Sequence, residues 1–278
     1  MIPADFISEW RSQAPWVESS QVEQDLVISR ALVEIFDDDR LAEALAFRGG
    51  TALYKLHLTP GPRYSEDIDL IQKTAEPIGP TIDRLRGRLD SWLGDPKRTF
   101  KQGRVTLVYR FHSEDSPPLP LRLKVEINSR EHFAVLGFER RQLGIRSRWF
   151  SGSSHVSTYA LDELLGTKLR ALYQRKKGRD LFDLWWASQH ATVDLDRVVC
   201  CYGEYLGAEG LRVSRAEMEA NLVGKLTDRR FVADLGPLLA PGIEWDLEAA
   251  AEWAFQEITP RLGGDPWKGV EGADDGGL

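Results

Sequence analysis

Apolar positions along this chain change period twice, and the changes divide it. Val22, Leu26, Ser29, Leu32, Val33 and Phe36 keep helical spacing, so residues 18–47 read as helices. The acidic run Asp37-Asp38-Asp39 interrupts them and can cap a further short helix. Arg48–Leu58 reads as a turn and a short helix, ended by Pro60-Gly61-Pro62. Asp67–Gln72 reads as a short strand. Ile82, Leu85, Leu89, Trp92 and Leu93 form the apolar stripe of a helix whose other face shows Arg84, Arg86 and Arg88.

A hairpin follows. Val105, Leu107, Tyr109 and Phe111 alternate along its first strand, and residues 114–120 form its loop. In the return strand Leu121, Leu123, Val125 and Ile127 share one face, while Arg122, Lys124, Glu126 and Asn128 share the other. That polar row must face a solvent-filled cleft or solvent itself. From Tyr159 to about Pro260 the period is helical again. The expected class is α+β: a small mixed sheet with N-terminal helices over residues 1–157, a helical lobe over 158–262, and a disordered tail over 263–278. Ser151-Gly152-Ser153-Ser154 reads as the linker, and the tail holds six glycines with little to bury.

Composition narrows the class. The 278 residues are 42% hydrophobic and 28% charged, as in globular proteins. No apolar run approaches the roughly 20 residues that span a bilayer. The N-terminus lacks the layout of a signal peptide, so no membrane is expected and the location expected is cytoplasmic. The two cysteines, Cys200 and Cys201, are adjacent, and the five histidines are scattered, which predicts neither a disulfide framework nor a zinc site. Net charge is −7, yet residues 81–150 carry 15 Lys and Arg against 8 Asp and Glu, or +7, leaving −14 for the rest. A basic middle in an acidic chain either attracts a polyanion or is a set of solvated helix faces.

The candidate chemistry lies between residues 48 and 70. Asp67 and Asp69 stand two apart on a strand, so both carboxylates leave one face and can share hard metal ions such as Mg2+. Upstream, Gly49-Gly50 permit close backbone approach and Thr51 can cap the helix that follows, an arrangement suited to a triphosphate. Arg63 and Ser65 stand just ahead of the carboxylates as further donors. Glu126, in the polar row, is placed as a third carboxylate, for metal binding or proton transfer; Lys124 on the same face can equally be its salt-bridge partner. Lys168 falls among Leu164, Leu165, Leu169 and Leu172, where a lysine either snorkels outward or meets an anion. Asp180 opens the next helix as a cap or first-turn acid, and Asp180 with Asp183 can be ordered by Lys168 or Arg179.

In this order Gly49-Gly50-Thr51-Ala52-Leu53, Arg63-Tyr64-Ser65-Glu66-Asp67-Ile68-Asp69-Leu70, Lys168 and Arg179-Asp180-Leu181-Phe182-Asp183-Leu184 resemble the AbiEii/AbiGii-type nucleotidyltransferase toxins of the DNA polymerase β-like superfamily. The resemblance runs from about Phe47 to Trp186, with helical similarity beyond. It implies a bilobed enzyme that transfers a nucleoside monophosphate from an NTP, with Mg2+, and a cognate antitoxin as partner. Within the family some members modify the 3′ end of tRNA and block translation. It implies that Asp67 and Asp69 bind metal, that Gly50 and Thr51 meet the triphosphate, that Lys168 contacts its phosphates and that Asp180 belongs to the catalytic set. The family often has serine at the position of Thr51, which keeps the hydroxyl. The acceptor expected is RNA, at the end of tRNA. A protein such as the antitoxin, or a small-molecule hydroxyl, is the alternative with the same site, and a non-catalytic nucleotide-binding protein is the alternative without turnover.

Overall fold

A computed structural model describes residues 2–269. The chain forms two compact units: residues 1–164 with 238–243, and residues 165–237 with 244–278. The boundary lies inside one helix, and the second stretch of the first unit is a six-residue return from far along the chain.

The first unit starts with helices α1 (Ala4–Trp10), α2 (Ser19–Phe36) and α3 (Asp39–Ala44). A box of Glu18 and Gln21 opens α2, and the Asp38 carboxylate accepts the Leu41 N–H to open α3, as the acidic run suggests. α2 is buried on nearly every side, including its polar residues Glu23, Gln24, Asp25 and Ser29. Each has a partner: Gln24 Nε2 donates to the Arg122 carbonyl, Ser29 donates to the Asp25 carbonyl, and Glu23 accepts the Glu114 N–H.

Strand β1 (Leu45–Arg48) leads into α4 (Gly49–Ala52) and a π-helical turn, Leu53–His57; then come β2 (Asp67–Gln72) and α5 (Gly79–Leu93). β3 (Lys97–Lys101), β4 (Arg104–His112), β5 (Pro120–Asn128), β6 (Phe138–Arg146) and β7 (Ser151–Tyr159) complete one seven-stranded sheet, ordered β3-β4-β5-β2-β1-β7-β6. β2 runs parallel to β5 and β1 parallel to β7; the other neighbours are antiparallel. Residues 45–47, expected to be helical, form a strand with Arg48, where a turn was expected. Ser151–Ser154 is no linker, because those residues pair with Leu143–Arg146 across the β6–β7 hairpin.

One face of the sheet carries Phe47, Ile68, Leu70, Leu107, Tyr109, Leu123, Val125 and Ile127 into a core shared with α2 and α5. Burying each such side chain is worth about 1.5–3 kcal/mol. The other face is apolar only at one end, where Ala46, Ile71, Tyr159 and Leu164 cluster with Ala134 and Phe138 against them. Residues 238–243 lie beside the loop that precedes β2. The Tyr64 N–H donates to the Leu238 carbonyl at 2.7 Å, the Ala240 N–H to the Pro62 carbonyl at 2.9 Å, and Arg63 and Leu239 form a β-bridge.

Helices α6 (Leu161–Gln174), α7 (Gly178–His190), α8 (Leu195–Ala208), α9 (Arg215–Leu226), α10 (Arg229–Ala233) and α11 (Leu247–Trp253) follow, and among the described residues the regular elements of the second unit are all helical. Its core includes Leu165, Leu169, Phe182, Tyr202, Leu222 and Phe231. Phe182, Trp185 and Trp245 pack ring to ring. Part of the expected tail is held: the Gly263 carbonyl accepts the Arg215 N–H, and the Trp267 N–H donates to Glu219. Residues 270–278 of that tail lie outside the described residues. Among the described residues no helix is long and apolar enough to cross a membrane.

Candidate active site

Alternation along β2 decides the site. Ile68 and Leu70 enter the core, which turns Asp67 and Asp69 to the opposite face. β5 lies beside β2 in parallel register, with Asp67 opposite Lys124 and Asp69 opposite Glu126. The polar row of the second hairpin strand thus stands next to the Asp-x-Asp pair. Lys124 Nζ donates to Asp67 Oδ2 at 3.1 Å and lies 3.3 Å from Glu126 Oε2. Arg104 Nε is 3.2 Å from Glu126 Oε1. On the other side Arg48, opposite Asp69 in register, binds Glu131 at 2.7 Å. Three carboxylates therefore sit interleaved with three cations.

That crowding shows in the titration of the groups. Burial, with Asp67 and Glu126 nearby, raises the Asp69 pKa above the ordinary carboxylate range despite Arg48 and Lys124. Burial opposes the charge on Lys124, but Asp67, Glu126 and Asp69 outweigh it and raise its pKa. Burial likewise opposes the charge on Arg48, and Glu131, Tyr159 and Asp69 overcome it.

The glycine pair has a specific geometric task. Gly49 has φ +84°, a region side chains disfavour, and a Cβ there would collide with Asp69 Oδ2. Glycine is what lets the start of α4 approach the carboxylate. Thr51 does not cap that helix; it lies within α4, whose N-cap is Arg48. Its hydroxyl donates to the Asp67 carbonyl at 2.7 Å and meets Ser65 Oγ at 2.9 Å. Gly50 and Thr51 are buried. Thr51 thus ties α4 to the backbone of the first aspartate.

Arg63 is 1% exposed, donates to the Tyr64 carbonyl and lies 5.0 Å from the Tyr54 ring. It is a wall residue, not an outstretched donor. Thr51, Ser65 and Arg63 line a cavity of about 560 Å³ with Trp10, Trp16 and Tyr54. Its polar centre is Asp25, which accepts from Trp10 Nε1, Trp16 Nε1 and Lys55 Nζ at 2.9, 3.2 and 2.7 Å. No spacing in the sequence marked Asp25, Lys55 or Arg104 as neighbours of the site, because each is brought there by tertiary packing. Arg48 adjoined the glycine motif, and its register with Asp69 became visible only with β1.

In the second unit, Lys168 is 6% exposed and meets an anion instead of snorkelling. Its Nζ lies 2.7 Å from Asp183 Oδ2 and 3.5 Å from Asp180 Oδ1. Arg175 holds Asp180 with two bonds of 2.6 and 2.7 Å. Both aspartates are fully buried. Arg179 does not order them; it pairs with Asp234 at 3.1 Å.

The family model of the nucleotidyl transferase AbiEii toxin, type IV toxin–antitoxin system, matches residues 30–257. The chain belongs to that family. The AbiEii match covers both units, and so takes in the carboxylates on β2 and β5 and the buried ion network of α6 and α7. Among solved structures, MenT4, a nucleotidyltransferase toxin of Mycobacterium tuberculosis H37Rv, is similar with a TM-score of 0.65 and 18% identity, over 93% of this chain and 90% of that one. A protein from H. pylori assigned as a nucleotidyltransferase is similar with a TM-score of 0.52 and 18% identity, over 88% and 96%. At such identities these likenesses concern the fold. No curated protein matches the chain by sequence. As an AbiEii protein the chain is a nucleotidyltransferase toxin of a type IV toxin–antitoxin system, which implies an antitoxin partner and a nucleotide substrate.

Proposed function

We propose that this AbiEii toxin transfers a nucleoside monophosphate from an NTP to an RNA hydroxyl, at the 3′ end of tRNA, and so blocks translation. The observation that carries the transfer is the register that sets Asp67 and Asp69 beside Glu126, with Gly49 close against Asp69. The RNA acceptor is favoured by the surplus of Lys and Arg between residues 81 and 150. The assumed setting is the cytoplasm.

Three carboxylates on one face are a hard-oxygen donor set that suits Mg2+. Among the described residues no three such side chains are drawn together into a metal cluster, and the Lys124 ammonium stands between Asp67 and Glu126. Asp67, Asp69 and Glu126 would hold the ion once Lys124 yields. Bound Mg2+ would neutralise charge on the attacking and leaving oxygens. In the transfer, the acceptor hydroxyl forms a bond to the α-phosphorus, the bond from that phosphorus to the β-phosphate oxygen breaks, and pyrophosphate leaves. Glu126, opposite Asp69 in register, either completes the donor set around the ion or accepts the hydroxyl proton. Gly49 and Gly50 set the start of α4 against Asp69, beside which the phosphates would lie, and Thr51 and Ser65 fix the adjoining loop. Arg63 supports that loop from within the wall. Lys168 and Asp180 enter the proposal through the family resemblance, as a phosphate contact and a member of the catalytic set.

The test is incubation with each α-labelled NTP, Mg2+ and total tRNA. Label is expected in RNA, with Asp67→Asn and Asp69→Asn each lowering transfer by about 100-fold or more while keeping the fold. Label in protein would move the acceptor to the antitoxin or the toxin itself. Near-normal turnover in both variants would overturn the site.

A further inference from the structure

The polar face of the sheet continues past the carboxylates to the outer edge. Opposite residues of paired strands share a face, so the registers define rows across it. One row runs Asp67, Lys124, Val108, Lys97. The next runs Asp69, Glu126, Thr106, Thr99, and a third runs Ile71, Asn128, Arg104, Lys101. Beyond the first row Arg122 stands opposite Arg110. All five residues of β3 are exposed, as are Arg104, Arg110 and Arg122. Arg130 adds to this end, because its side chain lies where a Cβ of Gly103 would stand, at the β3–β4 turn.

The charges on this surface are one-sided. Among the described residues Lys97, Lys101 and Arg110 make no salt bridge; Arg122 reaches Glu66 only at 3.9 Å, and Arg104, 57% exposed at its side chain, meets Glu126 at 3.2 Å. The basic helix face of the same segment differs. Arg84 is bound to Asp38 at 2.6 Å, Arg86 to Asp90 and Asp95 at 2.7 Å, and Arg88 to Asp37 at 3.0 Å. A lysine-bearing edge strand also discourages edge-to-edge association. That purpose does not account for Arg104, Arg110 and Arg122, which lie on the face of interior strands. Mixed charges would serve solubility; a single-sign surface beside a reaction centre serves to attract and align a polyanion.

Direction follows from the rest of the face. Toward β1 and β7 it is closed by Tyr159, Leu164 and Phe138, and Arg48 is already bound to Glu131. Toward β4 and β3 it is exposed, for three strand spacings or roughly 14 Å.

We propose that the open face of β5, β4 and β3 is the docking track for the sugar-phosphate backbone of the acceptor RNA, with Lys97, Lys101, Arg104, Arg110 and Arg122 meeting its phosphates and its terminal hydroxyl reaching Asp67 and Asp69. This rests on the RNA reading above. Lys97→Glu/Lys101→Glu/Arg110→Glu changes exposed side chains and leaves the carboxylates and their partners intact. Its comparator, Arg40→Glu/Arg140→Glu/Arg146→Glu, alters net charge equally at exposed sites away from this track. Binding of deacylated total tRNA is measured across a salt series, with ATP binding by calorimetry on the same samples. For the track variant we expect tRNA affinity at least tenfold lower, and a slope of log K against log salt shallower by about 2–3, near one per phosphate contact. ATP binding and the comparator's tRNA affinity stay within twofold of wild type. Wild-type affinity in the track variant overturns the track while the RNA reading stands, and leaves the surface to a protein partner. Equal losses in both variants also overturn it, as a net-charge effect. No tRNA affinity in the wild type at low salt removes the RNA reading itself.

Discussion

Gly49→Ala makes a local test of the site. The added methyl meets a disfavoured φ and the space of Asp69 Oδ2 at once, so either α4 or the aspartate must move. We expect a loss of about 1–3 kcal/mol in stability and of most transfer activity, read from thermal unfolding and labelled-NTP turnover on the same sample. Asp69→Asn separates the two readouts. A raised carboxylate pKa means that the folded state resists ionisation, so the penalty is full above the folded pKa and disappears below the ordinary value. The variant should therefore melt higher than wild type near pH 7 while losing activity. That gain should shrink as pH falls through the folded pKa and vanish in acid. A lower melting temperature at pH 7 would show that the Arg48 attraction outweighs burial.

A buried ion network joins α6 and α7. Lys168→Ala removes the ammonium 2.7 Å from Asp183, whereas Asp180 keeps Arg175. Removing one partner of a buried ion pair costs about 3–5 kcal/mol, so the apo melting temperature should drop sharply, and Asp183→Asn added to Lys168→Ala should recover part of it. An unchanged melting temperature with a raised KM for NTP would instead make the phosphates its main partner. These elements also show what the sequence makes legible. The carboxylate strand, the hairpin and the helical half follow from alternation and helical period, because in each one face is buried. β3 gives no such signal: Lys97-Arg98-Thr99-Phe100-Lys101 is exposed throughout, and only its pairing with β4 makes it a strand. Leu45-Ala46-Phe47-Arg48 is a short apolar run that periodicity cannot distinguish from a helix end. Ser151-Gly152-Ser153-Ser154 has linker chemistry, and the β6 partner overrides it. For the same reason the candidate site was legible at Asp67, Asp69 and Gly49, and less so at Arg48, Arg104 and Asp25, whose places depend on register and packing.

At the scale of the molecule, residues 238–243 matter beyond their number. They belong to the first unit, while the chain on either side belongs to the second. They supply backbone partners to Pro62 and Tyr64, immediately before Ser65 and the carboxylate strand. Closing so long a loop costs little more than closing a shorter one, since the entropic cost grows only with the logarithm of length. The order of synthesis is a different matter. A ribosome finishes the glycine turn, both aspartates and Glu126 long before it reaches Leu238. Until Ala240 has emerged, the Pro62–Tyr64 loop lacks the backbone partners that fix it. A nascent chain that stops short of Leu238 therefore carries the carboxylates of β2 with the loop before them unbraced.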